Sequence, residues 1–87
     1  MISIVIPTYN RPDLLDRLLS SIKNQTFISY EIIIINDNSK NLKSYKKVID
    51  KYKQMFNSLT YIVNDKNMGA PYSRNIGISK SNFKLIA

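Results

Sequence analysis

The segment at residues 31–40, EIIIINDNSK, joins four isoleucines and then presents four polar residues, Asn36, Asp37, Asn38 and Ser39. Consecutive β-branched side chains favour a strand, because their χ1 freedom is already restricted and they pack well on a pleated surface. A half-buried strand would alternate apolar and polar residues. This one does not, so it requires cover on both faces, as strands inside a parallel sheet do. Its abrupt polar end then becomes the feature to explain. In open α/β sheets, ligands bind beyond the carboxyl ends of the strands, where strand order reverses.

The rest of the chain repeats the same logic. Residues 2–7, ISIVIP, read as a first strand, closed by a proline that cannot donate to a central ladder. A helix follows, with Asn10 expected as its N-cap, Pro12 in the first turn and Asp13 at the positive end of the helix dipole. Leu14, Leu15, Leu18, Leu19 and Ile22 give it a broad apolar stripe, and it should stop near Asn24. After the isoleucine strand, Leu42, Tyr45, Val48, Ile49, Tyr52 and Phe56 mark a second helix over residues 42–56. Residues 58–64 alternate more, as suits a strand at the sheet edge. A third helix is expected over residues 70–79, with Pro71 in its first turn and Gly77 weakening its end. Residues 83–87, FKLIA, read as a fourth strand. The order β-α-β-α-β-α-β with short connections indicates an α/β fold, a mainly parallel sheet with helices on its faces. Two polar clusters, Thr8-Tyr9-Asn10 and residues 36–39, should then meet on one rim.

Composition narrows the chemistry. The 87 residues suffice for one small domain, and 44% hydrophobic content is ordinary for a globular chain. With neither cysteine nor histidine, disulfides, thiolate chemistry, a Ser-His-Asp triad and histidine metal ligands are all excluded. Any metal must sit on oxygen. Thirteen Lys and Arg against six Asp and Glu give a net charge of +7. Six lysines fall between residues 40 and 53: Lys40, Lys43, Lys46, Lys47, Lys51 and Lys53. They fit a solvated helix face or, alternatively, a non-catalytic basic module meeting an anionic polymer or membrane surface. Without interleaved arginine or exposed aromatics, nucleic acid is not expected as a partner. No apolar run approaches the length of a membrane span. The expected location is cytoplasmic, with the inner face of the membrane open to a full-length protein.

No G-x-G-x-x-G and no P-loop motif is present, and two glycines are too few for a glycine-rich phosphate cradle. Any nucleotide must be held by side chains. Residues 3–27, SIVIPTYNRPDLLDRLLSSIKNQTF, then YEIIIINDNS and NMGAPYSRNIGISKS, resemble the opening of the family 2 glycosyltransferases, inverting enzymes of the GT-A fold. That pattern is a strand ending in P-x-Y-N, a leucine-rich helix ending in Q-T, a strand ending in D-D-x-S, and N-x-G-x-x-x-x-R-N-x-G. The resemblance implies a Rossmann-like three-layer sandwich of the nucleotide-diphospho-sugar transferase type, truncated after the fourth strand. It also implies transfer of a sugar from a nucleotide-diphosphate donor, UDP being the usual one, to an acceptor hydroxyl.

By this resemblance Thr8, Tyr9 and Asp37 hold the base. A carboxylate can accept the uracil N3–H while an aromatic ring covers the base. Asp37 could equally be a turn residue bonding its own loop amides, Thr8 a turn hydroxyl, and Tyr9 a loop aromatic. Arg74 falls where the family passes the diphosphate, and its guanidinium suits phosphate; an ion pair with Asp65 is the other reading. Asn10, Asn36, Ser39, Gly69 and Asn75 are supporting loop residues, Asn36 standing where the family has its first acid, Gly69 supplying positive φ and Asn75 tying the loop.

The resemblance further implies a divalent cation, Mn or Mg, on an Asp-x-Asp directly after the fourth strand, and a catalytic base further along. Neither lies within residues 1–87. The expectation is therefore the nucleotide-sugar-binding part of a glycosyltransferase, inactive alone, with no metal or catalytic residue of its own. An open ladder edge beside a central strand adds an expectation of self-association.

Overall fold

Both apolar runs become adjacent strands of one parallel sheet. The computed structural model describes residues 2–24, 30–56, 58–82 and 85–86. In chain order these form β1 (Ile2–Thr8), α1 (Pro12–Lys23), β2 (Tyr30–Asn36), α2 (Leu42–Lys53), β3 (Leu59–Val63), α3 (Ala70–Lys80) and β4 (Leu85–Ile86). The sheet order is β3-β2-β1-β4 and every pairing is parallel. As the alternating pattern of residues 58–64 suggests, β3 lies at one edge. The Gln25-Thr26 pair of the expected motif, and Phe83, Lys84 and Ala87 of the fourth strand, fall outside the described residues.

Register explains the unbroken isoleucines. Ile4 pairs with Ile32 and Ile6 with Ile34, and all four face α1 and α2. There Leu15 and Leu19 of α1 meet Tyr45, Ile49 and Tyr52 of α2 in one buried cluster. Ile33 and Ile35 point to the opposite face, also buried, where α3 packs across β1 and β2. Helices thus cover both faces, giving three layers. Each isoleucine buried this way contributes about 1.5–3 kcal/mol relative to exposure. A polar residue among them would lose that and require a partner.

Three local expectations are corrected. Asn10 does not cap α1: its φ of 53° puts it in the left-handed region, Arg11 takes the N-cap position, and no side chain caps the helix. Pro12 does open the helix. The weakening expected at Gly77 does not shorten α3, which continues to Lys80. It is buried mid-helix, where an added Cβ would run into Val5 Cγ1. The second helix ends at Lys53, earlier than the pattern suggested. Phe56 lies just past it, its N–H donating to the Tyr52 carbonyl and its ring stacked on Tyr52 at 5.9 Å. It stays in the core without being helical.

Candidate functional site

The carboxyl ends of β1, β2 and β3 are stitched into one rim. Thr8 pairs with Asn36, and the Asp37 N–H donates to the Thr8 carbonyl at 2.9 Å. The Asn64 N–H does the same to the Asn36 carbonyl at 2.8 Å. Side chains then cross between the loops. The Asn10 N–H donates to Ser39 Oγ at 2.8 Å, and Asn10 Oδ1 accepts the Lys40 N–H at 3.0 Å. The left-handed turn at Asn10 is what aims its amide at the neighbouring loop. Asn10 and Ser39 thus join the two loops through cross-loop bonds and not a helix cap.

Asn36 is fully buried and closes the loop after β2: its Oδ1 accepts the Ser39 N–H at 2.9 Å and its Nδ2 donates to the Tyr61 hydroxyl at 2.9 Å. Thr8 Oγ1 lies 2.7 Å from the Tyr45 hydroxyl, which also accepts the Arg11 N–H at 3.0 Å. One buried tyrosine of α2 therefore ties the end of β1 to the start of α1.

Asp37 is the centre of the rim, 4% exposed. Its Oδ1 accepts from Asn64 Nδ2 at 2.9 Å and from the Met68 N–H at 2.8 Å; Oδ2 accepts the Gly69 N–H at 2.8 Å. Burial pushes the carboxyl up, but the Met68, Asn64 and Gly69 donors, with the Ser73 hydroxyl, outweigh it and hold its pKa below the ordinary value of 3.8. The bonded amides belong to the loop after β3, so Asp37 is not a turn residue serving its own loop. Gly69, at φ 90°, is the N-cap of α3, and the carboxylate sits where the helix dipole favours negative charge.

Thr8, Tyr9 and Asp37 line one small cleft of about 80 Å³ together with Pro7 and Ala70. Tyr9 is 44% exposed, its ring available to a ligand. Arg74 is not among the lining residues. It is exposed on α3, with no ion pair to Asp65 or another acid among the described residues. Asn75 is likewise exposed and forms no side-chain hydrogen bond among the described residues. Asn64 ties the loop after β3, donating to both Asp37 and Ser73. Of the lysines on α2, Lys46 pairs with Asp50 and Lys51 with Asp16, both on the surface. No described helix is long and apolar enough to cross a membrane.

Sequence reasoning missed Asn64, Tyr45 and Ser73. The rule that singled out Asp37, a polar residue closing a parallel strand, also applies to Asn64 after β3. Tyr45 carried a weaker signal: a tyrosine in a buried stripe needs a partner for its hydroxyl.

The glycosyl transferase family 2 model matches residues 3–87. The chain belongs to that family. Among its relatives, an uncharacterized glycosyltransferase of Methanocaldococcus jannaschii is 35% identical over 100% of this chain and 30% of its own length. The poly(ribitol-phosphate) β-N-acetylglucosaminyltransferase TarP of Staphylococcus aureus is 34% identical over 94% of this chain and 26% of its own length. The structure of S. aureus TarS 1–349 in complex with UDP-GlcNAc superposes on 98% of this chain and 24% of TarS, at 25% identity and a TM-score of 0.85. The α/β family fold expected from the motifs is thus the observed one, and the chain spans under a third of these family members.

Proposed function

We propose that this chain supplies the nucleotide-binding part of a glycosyltransferase that moves a sugar from a nucleoside-diphosphate donor to an acceptor hydroxyl. One observation carries the reading: Thr8 and Tyr9 line a single cleft with Asp37, distant from them in sequence, at the carboxyl ends of adjacent parallel strands. Tyr9 offers a ring face to a base, and the ionised Asp37 offers an acceptor to a base N–H. The TarS complex with UDP-GlcNAc supports a UDP-sugar as donor. Arg74 lies one turn beyond Ala70 on the same side of α3, and helical side chains lean toward the N-terminus. This supports a role for its guanidinium beside the diphosphate.

A divalent cation, Mn or Mg, would neutralise the departing diphosphate. Among the described residues no group of three or more acidic, histidine or cysteine side chains gathers to hold one, so no residue here is assigned to it. Titration calorimetry with UDP and UDP-GlcNAc tests the reading. Tyr9→Ala is the informative variant, because its exposed ring can be removed without disturbing the hydrogen-bonded rim. Binding weakened about tenfold, as for loss of a base–aromatic stack, is the expected result. Unchanged affinity would remove Tyr9 from the site, and absence of UDP binding by the native protein would sink the proposal.

A further inference from the structure

Asp37 has about four lone-pair positions, and the protein fills three of them with Asn64 Nδ2 and the Met68 and Gly69 N–H groups. Oδ1 is saturated. Among the described residues Oδ2 accepts one hydrogen bond, from the Gly69 N–H, and Asp37 lines the cleft beside Ala70. Of the three donors, two are backbone groups whose places are set by the loop. Asn64 is the one side chain.

Its own position is fixed from three directions. Its backbone N–H is bound to the Asn36 carbonyl, and its two amide hydrogens go to Asp37 Oδ1 and to Ser73 Oγ at 3.0 Å. Ser73 is fully buried in α3. The amide therefore joins the end of β2, the end of β3 and the first turns of α3 through a single group. An aspartate of the same shape would set two carboxylates within hydrogen-bond distance, and one would have to take up a proton. An alanine would leave each carboxylate oxygen with a single backbone donor, Met68 N–H on Oδ1 and Gly69 N–H on Oδ2, and would remove the side-chain restraint from Oδ1.

We propose that Asn64 is a positioning residue for the nucleotide site, holding the Asp37 carboxylate so that one acceptor position on Oδ2 faces the ligand. This rests on the nucleotide-binding reading above. Asn64 touches no ligand in this scheme; it acts through Asp37. Its amide also helps to keep Asp37 ionised, in line with the lowered pKa there.

The test compares native protein with Asn64→Ala, Asn64→Asp and Ser73→Ala. Two readouts are taken: the Asp37 side-chain carboxyl titration by carbon NMR, and UDP affinity across acidic to neutral pH. Asn64→Ala is expected to raise the Asp37 midpoint and weaken UDP about tenfold, the scale of one hydrogen bond to a charged group. The loss should grow toward acid. Ser73→Ala removes the other bond of the same amide and a hydroxyl that itself helps to hold the Asp37 pKa down, so it should raise the midpoint and weaken UDP less than Asn64→Ala does. If Asn64→Ala does not fold, the isosteric Asn64→Asp serves, with a still larger upward shift expected. An unmoved Asp37 midpoint in these variants, or Ser73→Ala matching Asn64→Ala, overturns the proposal. If native protein fails to bind UDP, the nucleotide reading falls, while the Asp37 titration still decides whether Asn64 positions the carboxylate.

Discussion

Asn36 stands where the family resemblance has an acid, and the structure shows why charge is dispensable there. The side chain is buried and works within the protein, accepting from Ser39 N–H and donating to the Tyr61 hydroxyl. A hydroxyl can reverse its role, so an aspartate at 36 could accept from Tyr61 where the amide now donates. Asn36→Asp should therefore fold, within about 1 kcal/mol of the native protein at neutral pH, the scale of one exchanged hydrogen bond. Asn36→Leu leaves two polar groups unpaired and should cost about 1–3 kcal/mol. Urea denaturation of the two variants checks both; equal losses would mean that packing, and not hydrogen bonding, sets the position. Asp37 behaves oppositely. An amide there must turn its NH₂ toward Met68 or Gly69, so Asp37→Asn loses stability as well as its acceptor. That makes it a poor test of binding taken alone. Of these roles, the position of Asp37 was legible as the polar end of an apolar strand. The orientation of Asn10 was not, because its positive φ depends on a partner loop 29 residues away.

The elements themselves were largely written in the pattern. Four consecutive isoleucines demanded cover on both faces, and helices lie on both. What the pattern could not convey was spacing between layers. Gly77 reads as a helix breaker by intrinsic propensity, yet it sits where α3 crosses β1, with Val5 in the place a Cβ would occupy. The close approach is a property of two elements and is invisible to either alone. Gly77→Ala should gain helix propensity but force α3 away from the sheet, for a net loss of about 1–3 kcal/mol. Val5→Ala removes the obstructing methyls, so the double variant should recover part of that loss. A double-mutant cycle measured by thermal unfolding decides this, and strictly additive losses would show that Val5 is not the obstruction.

At the scale of the whole molecule, stability has an acid limb and a basic limb. Glu31 is buried and, among the described residues, has no cationic partner: burial pushes its carboxyl up, but the Asn82 N–H, Ser3 hydroxyl and Asn82 amide outweigh it. With Asp37 and Asp16 also below their ordinary values, the unfolded chain binds more protons in acid. Stability from these groups is complete above their unfolded values of 4.5 for Glu and 3.8 for Asp, and it is lost as pH falls through the folded ones. Burial raises Tyr52 and Tyr61 above 10.0, so their contribution is complete below that value and fades as pH rises through the folded ones. A plateau of melting temperature between these limbs is expected, and a monotonic pH dependence would contradict it.

The same molecule has an open flank. Ile2 and Ser3 pair with β4, whereas Ile4 to Thr8 have no strand partner on that side among the described residues. Beside this edge, Leu14 and Leu18 of α1 are 48% and 42% exposed and line an apolar groove with Ile6 and Tyr9. An unpaired ladder next to exposed leucines favours association between copies, but each 87-residue chain carries a net charge of +7. Repulsion between like charges is screened over about 10 Å at 0.1 M salt and about 3 Å at 1 M. The isolated chain should therefore be most nearly monomeric in dilute, low-salt solution. Its mass by light scattering should rise with concentration and with added sodium chloride. Leu14→Lys with Leu18→Lys puts charge into the groove and should suppress that rise. A monomeric mass across the full concentration and salt range would show that the flank is closed within each copy.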